Sequence, residues 1–416
     1  MSQNTGFDTG SLFQMIPTYY KNLFPAKLYV RWLTYGEEKS YFARREWCFT
    51  LKDDVYLRYK SFLDTADVER ELMKLCPHKL DIGAVYNYRP RDQKSVPGFE
   101  AIERELVFDI DLTDYDDIRK CCSGGKMCDK CWNYIVVAVK ILDTALKADF
   151  GFHHLLWVYS GRRGVHCWVC DKKARILTSE ARSAIAEYLC LVSGSSSMKK
   201  KVFLNDQKTE SAGAIHPSVI RAVDVVNETW DTLAKSQQLL MTEENWLEVI
   251  DMIEINSGVD INSHLKNQYS SITGDSCRRW RELVEFLKRN VSSSYLMQKA
   301  VMELQLQLAY PRLDINVTKG INHLLKGPFC IHPKTGKISV PFNAADVENF
   351  KYNDVPRIDR LICELTTGMA NIEKEDGSGS KRKLLGYKQT SLSKSIEIFE
   401  HFVKQIVQEE GGTSSN

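Results

Sequence analysis

The stretch Leu106-Val107-Phe108-Asp109-Ile110-Asp111-Leu112-Thr113 decides how the rest of this chain reads. Its apolar residues Leu106, Phe108, Ile110 and Leu112 recur at every second position, the period of a half-buried β-strand. That alternation sends Asp109 and Asp111 together to the opposite face, about 6–7 Å apart at Cα. Carboxylates so close repel one another unless a cation sits between them. Hard divalent ions such as Mg²⁺ take oxygen ligands of this kind and share them with substrate phosphates. Aspartate is also disfavoured in strands, so two at strand spacing want an explanation. An isolated Asp-x-Asp fits a solvated edge strand equally well, and its weight depends on what else the chain supplies.

Composition sets the bounds. With 416 residues, 43% of them hydrophobic and 26% charged, the chain has the make-up of a large globular protein of one elaborated domain or two. A net charge of +2 gives no global basic field, so a nucleic-acid surface has to be a local patch. No apolar run reaches the length of a membrane span, and the polar first ten residues lack a signal core. The 12 cysteines are therefore expected as free or metal-bound thiols in a reducing compartment.

Outward from the aspartates, the pattern predicts a mixed α/β chain. Aromatic-rich short helices are expected over 17–24 and 27–35, then strands over 46–51 and 55–59 joined by the Lys52-Asp53-Asp54 turn. A helix over 66–75, a strand over 80–88, a helix over 132–150 and a strand-turn-strand over 155–170 follow. The expected organisation is a flexible N-terminus (1–14) and an α/β domain from 15–190 and 305–400. A mostly helical insertion (191–304), a flexible polar loop (372–383) and a C-terminal tail (401–416) complete it.

Three further constellations bear on chemistry. In Arg312-Leu313-Asp314-Ile315-Asn316-Val317 a second alternating strand is expected, offering Asp314 as the third carboxylate that a two-metal phosphoryl-transfer site needs. Taken alone, Asp314 reads equally as a surface residue. In Tyr159-Ser160-Gly161-Arg162-Arg163-Gly164-Val165-His166 two arginines sit on a glycine-bracketed turn, with His166 just beyond. That arrangement suits a triphosphate, although an ordinary charged hairpin turn has the same composition. Lys326 and His332 repeat the theme on a glycine- and proline-shaped loop shortly after Asp314. Finally, Cys121, Cys122, Cys128 and Cys131 place four thiols in eleven residues, enough to close a tetrahedral structural zinc site with no open position. A redox pair or plain core thiols are the alternatives. Cys167 and Cys170, three apart on a strand, point to opposite faces and are expected in the core.

Taken together and in this order, these segments closely resemble the small catalytic subunit of eukaryotic DNA primase, in the archaeo-eukaryotic primase superfamily. The resemblance also rests on Arg45 to Asp54, Asp81 to Tyr86 and the run from Arg312 through His323 to Lys326. It covers about residues 15 to 400 and is thinnest across the middle helical region. It implies the primase fold, with mixed β-sheets forming a catalytic cleft, a zinc-binding loop at 121–131 and a helical insertion subdomain. It implies a DNA-directed RNA polymerase that starts primers without a primer, by nucleotidyl transfer from ribonucleoside triphosphates on single-stranded DNA. Asp109, Asp111 and Asp314 match its ligands for two Mg²⁺ or Mn²⁺ ions, and Glu46 matches a further catalytic position. Ser160, Arg162, Arg163, His166, Lys326 and His332 match its triphosphate contacts, with Arg58 and Asp81 beside the nucleotide and Asp81 at the ribose 2′-hydroxyl. The implied partners are the large primase subunit and the catalytic and accessory subunits of DNA polymerase alpha, in the nucleus. The helical insertion or the aromatics Tyr19, Tyr20, Tyr29 and Trp32 are candidates for the large-subunit surface.

Overall fold

The computed structural model describes residues 6–194, 198–204, 215–255, 260–375 and 386–412. Backbone contacts group the chain into two units, one of Met1–Asp109, Phe152–Ala184 and Asp314–Asn416, the other of Ile110–Gly151 and Ile185–Leu313. The strands in chain order are β1 (Arg45–Thr50), β2 (Tyr56–Lys60), β3 (Lys79–Tyr86), β4 (Ala101–Glu103), β5 (Leu106–Asp111), β6 (Leu155–Tyr159), β7 (Gly164–Val169), β8 (Leu325–Lys326) and β9 (Pro341–Phe342).

The first unit is built on two sheets. One runs β2-β1-β3-β4, with β8 also pairing with β3; the other runs β5-β7-β6-β9. The turn joining β1 to β2 carries left-handed backbone at Asp53 (φ 61°) and Asp54 (φ 56°), which aspartate tolerates better than most side chains. Alternation then divides the first sheet. Trp47, Phe49, Leu80 and Ile82 pack inward, where the Trp47 ring lies 5.5 Å from Phe62 and 5.4 Å from Tyr29. Glu46, Cys48, Thr50 and Asp81 occupy the other side, where Cys48 pairs with Asp81 in register and Asp81 with Lys326. One sheet face is therefore greasy and one is built of polar groups. Helices Leu12–Asn22 and Ala26–Thr34 cover the greasy side and bury Tyr19, Tyr29 and Trp32 completely. Those aromatics belong to the core and are not open to a partner. Cys167 and Cys170 are buried as expected.

A charged knot lies inside this unit. Arg45 and Glu105 pair at 2.8 Å with neither side chain exposed, and Tyr35 donates its hydroxyl to Glu105 Oε1 at 2.6 Å. Arg175 lies 3.8 Å over the Tyr35 ring. Arg182 donates to the carbonyls of Arg104, Glu105, Ala174 and Arg175.

The second unit is helical. Asp129–Ala148 packs on Pro217–Gln237, followed by Glu243–Asp251, Ile261–Asn267, Ser276–Asn290 and Ser294–Ala309. Four of these helices start on a side-chain cap: Thr242, Asp260, Asp275 and Ser293 each accept from the third residue on. The cysteine loop belongs to this same unit.

Three expectations need correcting. Leu12 is buried at the start of a helix, so order begins inside the 1–14 segment. Residues 401–412 are no tail: helix Ser393–Gly412 buries Ile396, Phe399, Val403 and Ile406, spaced three or four apart, and Phe399 packs 5.5 Å from Trp32. Residues 372–375 close helix Ile358–Glu375, whereas 376–383 lie outside the described residues.

Candidate active site and cysteine cluster

Strand β5 realises the expected alternation, with Phe108 and Ile110 buried and Asp109 and Asp111 partly exposed. Asp111 ends the strand and caps the turn after it, accepting from the Thr113 amide at 2.9 Å and its hydroxyl at 2.8 Å. Asp314 does not sit on a strand. It is the N-cap of the short helix Ile315–Lys319, where its carboxylate accepts from the Asn316 amide at 3.1 Å. Three alternating apolar residues fit the approach to a helix as well as a strand, and aspartate's preference for the N-cap decides between them. The structure still brings Asp314 to Asp109, because its amide donates to the Asp109 carbonyl at 3.3 Å.

His166 on β7 places Nε2 at 3.6 Å from Asp109 Oδ1. Its Nδ1 lies 3.2 Å from the Lys326 carbonyl, an acceptor, so Nδ1 carries the proton. Burial first, then the Lys326 charge, pushes the His166 pKa down to about 4. At neutral pH the ring is uncharged and Nε2 is an acceptor facing a carboxylate.

The turn between β6 and β7 is the phosphate-loop candidate. Its Ser160 hydroxyl accepts from the Gly164 amide at 3.2 Å. Gly161 adopts φ +91°, and a Cβ there would meet His332 Cβ at 3.0 Å, so the turn approaches the 326–337 segment as only glycine permits. Lys326 Nζ donates to the Ser160 carbonyl at 2.9 Å and Thr335 to the Gly161 carbonyl at 2.8 Å. His332 is pushed down to about 2 by burial, then by the charges of Lys326, Arg162, Lys334 and Arg163. Four cations thus surround a neutral imidazole, an arrangement that accepts a polyanion. Lys334 was not singled out from sequence; its signal is the His-Pro-Lys-Thr-Gly-Lys run that already marks His332. Burial lowers Lys326 to about 8, so its charge is held at some cost.

The polar face of the first sheet carries two more carboxylates. Glu46 is fully buried and takes donors from Arg58 Nε (3.0 Å) and Nη2 (3.2 Å), the Tyr59 amide (3.2 Å) and the Tyr86 hydroxyl (3.0 Å). Asp81 is engaged through one oxygen, Oδ2, which accepts from the Tyr56 hydroxyl at 3.1 Å and pairs ionically with Lys79 Nζ at 3.0 Å.

In the helical unit, the donor atoms of Cys121, Cys122, Cys128 and Cys131 all lie within 4.8 Å of one another. Cys128 caps helix Asp129–Ala148, and Cys131 Sγ accepts from the Cys128 amide at 3.1 Å. A hydrogen bond from Cys121 leads in lowering Cys131 to about 5, while Cys121 is pushed up by that same bond and Cys122 to about 11, mainly by burial. With Cys131 poised as a thiolate, the four clustered sulfurs form a donor set suited to a tetrahedral zinc ion.

The family model described as DNA primase small subunit matches residues 108–344. The Drosophila melanogaster DNA primase small subunit is 38% identical over 405 residues, covering 95% of this chain and 91% of its own length. The Caenorhabditis elegans DNA primase small subunit is 40% identical, covering 95% of this chain and 98% of its own length. Among solved structures, the polymerase domain from Mycobacterium tuberculosis ligase D in complex with DNA aligns at a TM-score of 0.37 and 10% identity, covering 87% of this chain and 90% of that one. That likeness is too slight to build on.

Proposed function

This chain belongs to the DNA primase small subunit family and is a DNA primase, a nucleotidyltransferase; from that premise we propose that it makes short RNA primers de novo on single-stranded DNA, by two-metal transfer from ribonucleoside triphosphates. The observation that carries this reading is the cationic turn: Arg162, Arg163, Lys326 and Lys334 converge around His332, and His166 stands between Lys326 and Asp109.

In this reading Ser160, Arg162, Arg163, His166, Lys326 and His332 hold the triphosphate. Lys326 orients the turn through Ser160. His332, whose Nδ1 accepts from the Lys334 amide, offers its Nε2–H to a phosphate oxygen without adding charge. His166, its N–H given to the Lys326 carbonyl, lines the site. Asp109, Asp111 and Asp314 offer hard carboxylate oxygens, the donor chemistry that Mg²⁺ and Mn²⁺ prefer. Two such ions bound there would supply charge stabilisation for the attacking 3′-hydroxyl and the departing pyrophosphate. Asp81 accepts from the ribose 2′-hydroxyl. Glu46, with four donors already on its carboxylate, acts by fixing Arg58 beside the nucleotide and touches no substrate itself. Zinc at Cys121, Cys122, Cys128 and Cys131 is structural, since four thiols leave no open position. In this reading the protein works in the nucleus with the large primase subunit and the DNA polymerase alpha subunits; its likeness to eukaryotic DNA primase small subunits supports a replication role.

The test is primer synthesis on an unprimed pyrimidine template with Mg²⁺ or Mn²⁺ and labelled ribonucleotides. Wild-type protein is expected to give short RNA, and Asp111→Ala none. Absence of product from wild-type protein would sink the activity; equal product from Asp111→Ala would sink the metal assignment.

A further inference from the structure

Asp81 is an aspartate with one oxygen spent and one held back. Only 1% of it is exposed, and a carboxylate so buried is costly unless its lone pairs are satisfied. Here the Tyr56 hydroxyl (3.1 Å) and Lys79 Nζ (3.0 Å) both converge on Oδ2. Among the described residues no donor reaches Oδ1.

Strand registry explains the convergence. In the row β2-β1-β3, Tyr56 pairs with Thr50 and Thr50 with Lys79. Asp81 lies two residues along β3 from Lys79, on the same face. The hydroxyl and the ammonium therefore approach from one end of the carboxylate. On its other lateral side stands Lys326, directly opposite in register, whose Nζ holds the phosphate turn at Ser160. Tyr56 is 49% exposed, more than an aromatic kept only for packing would be, and Lys79 lies 6.0 Å over its ring. Burial and the Asp81 charge both hold the Tyr56 hydroxyl in its protonated, donating form.

We propose that Tyr56 and Lys79 are positioning residues for sugar selection: they commit Asp81 Oδ2 to the protein and so present Oδ1 as the acceptor for the 2′-hydroxyl of the incoming ribonucleotide. This deepens, and rests on, the reading that Asp81 meets the ribose. Discrimination between ribose and deoxyribose then belongs to a three-residue unit. A nucleotide without the hydroxyl would cover Oδ1 without pairing it, the kind of mismatch that discriminates strongly.

The experiment is single-nucleotide extension of an RNA-primed template by the full chain, with UTP and dUTP measured separately. For Tyr56→Phe, kcat/KM for UTP is expected to fall about tenfold while that for dUTP holds, collapsing the ratio by the same factor. Lys79→Met is expected to act in the same direction; because each change takes a partner from buried Asp81 and lowers stability, every variant is assayed well below its own melting temperature. Asp81→Asn, run alongside, separates the two claims. If Asp81→Asn collapses the ratio and Tyr56→Phe and Lys79→Met leave it intact, or lower both substrates equally, the positioning role is overturned. If Asp81→Asn itself leaves the ratio unchanged, the assignment of Asp81 to the ribose fails instead.

Discussion

Arg45 and Glu46 are neighbours on β1, carry opposite charges and point to opposite faces, and each finds a partner of the other sign. The Arg45–Glu105 pair is sealed: neither side chain is exposed, Tyr35 adds a hydroxyl, and Glu105 lies at about 2, where burial alone would have raised it and Arg45 outweighs burial. The Glu46–Arg58 pair is sealed at one end only, with Glu46 fully buried and 35% of the Arg58 side chain exposed. Identical chemistry thus serves two ends. A pair closed on both sides fixes the scaffold, whereas a pair open on the cationic side holds a charge ready for something else.

That contrast can be broken by experiment. The largest effect is expected at the sealed pair. Arg45→Met leaves Glu105 buried without its partner and is expected to cost about 3–5 kcal/mol of stability by urea denaturation, taking activity down with the fold. A loss below about 1 kcal/mol would mean that the knot is not what holds these segments together. Acid probes the same pair without mutation. Glu105 has a folded pKa near 2 against an ordinary value of 4.5, so its contribution is complete above 4.5 and drains away as pH falls toward 2. Melting temperature in that window is expected to fall less steeply in a Glu105→Gln protein than in wild type; parallel curves would refute it. The smallest stability effect is expected at the open pair. Glu46→Gln keeps an acceptor for Arg58 Nε and the Tyr59 amide and an NH2 from which Tyr86 can accept, but loses the charge and the Arg58 Nη2 bond, costing about 1–2 kcal/mol of stability. Primer synthesis is expected to drop about tenfold through a raised nucleotide KM. A fall in kcat with KM unchanged would make Glu46 a participant in the chemistry after all.

What was legible in the sequence was whatever is local. Period two in residues 106–112 gave β5, and the glycines of Ser160-Gly161-Arg162-Arg163-Gly164 gave the hairpin that positions the cations. The cysteine cluster needed only eleven residues of chain. Illegible were features made by distance. Arg45 and Glu105 are far apart in sequence, and nothing near either names the other. Asp314 was legible as a carboxylate near the site but not as an N-cap, because three alternating residues fit both geometries. Likewise Glu46 was marked by resemblance, yet only the folded sheet shows that its carboxylate is already filled. The half-used carboxylate of Asp81 depends on registry across three strands, which composition does not encode.

Strand β8 is only two residues long, yet Lys326 alone meets Asp81 in register, accepts from His166 through its carbonyl and reaches Ser160 through its ammonium. The proposed contacts for sugar, metal-side histidine and phosphate turn are therefore all surveyed from one benchmark. A shift of that strand would be felt at all three contacts at once, as moving a jig moves every pin set in it. The next residue shows how firmly the benchmark is seated: a Cβ on Gly327 would lie 1.9 Å from the Tyr29 hydroxyl, so the aromatic core clamps the strand where it must not drift.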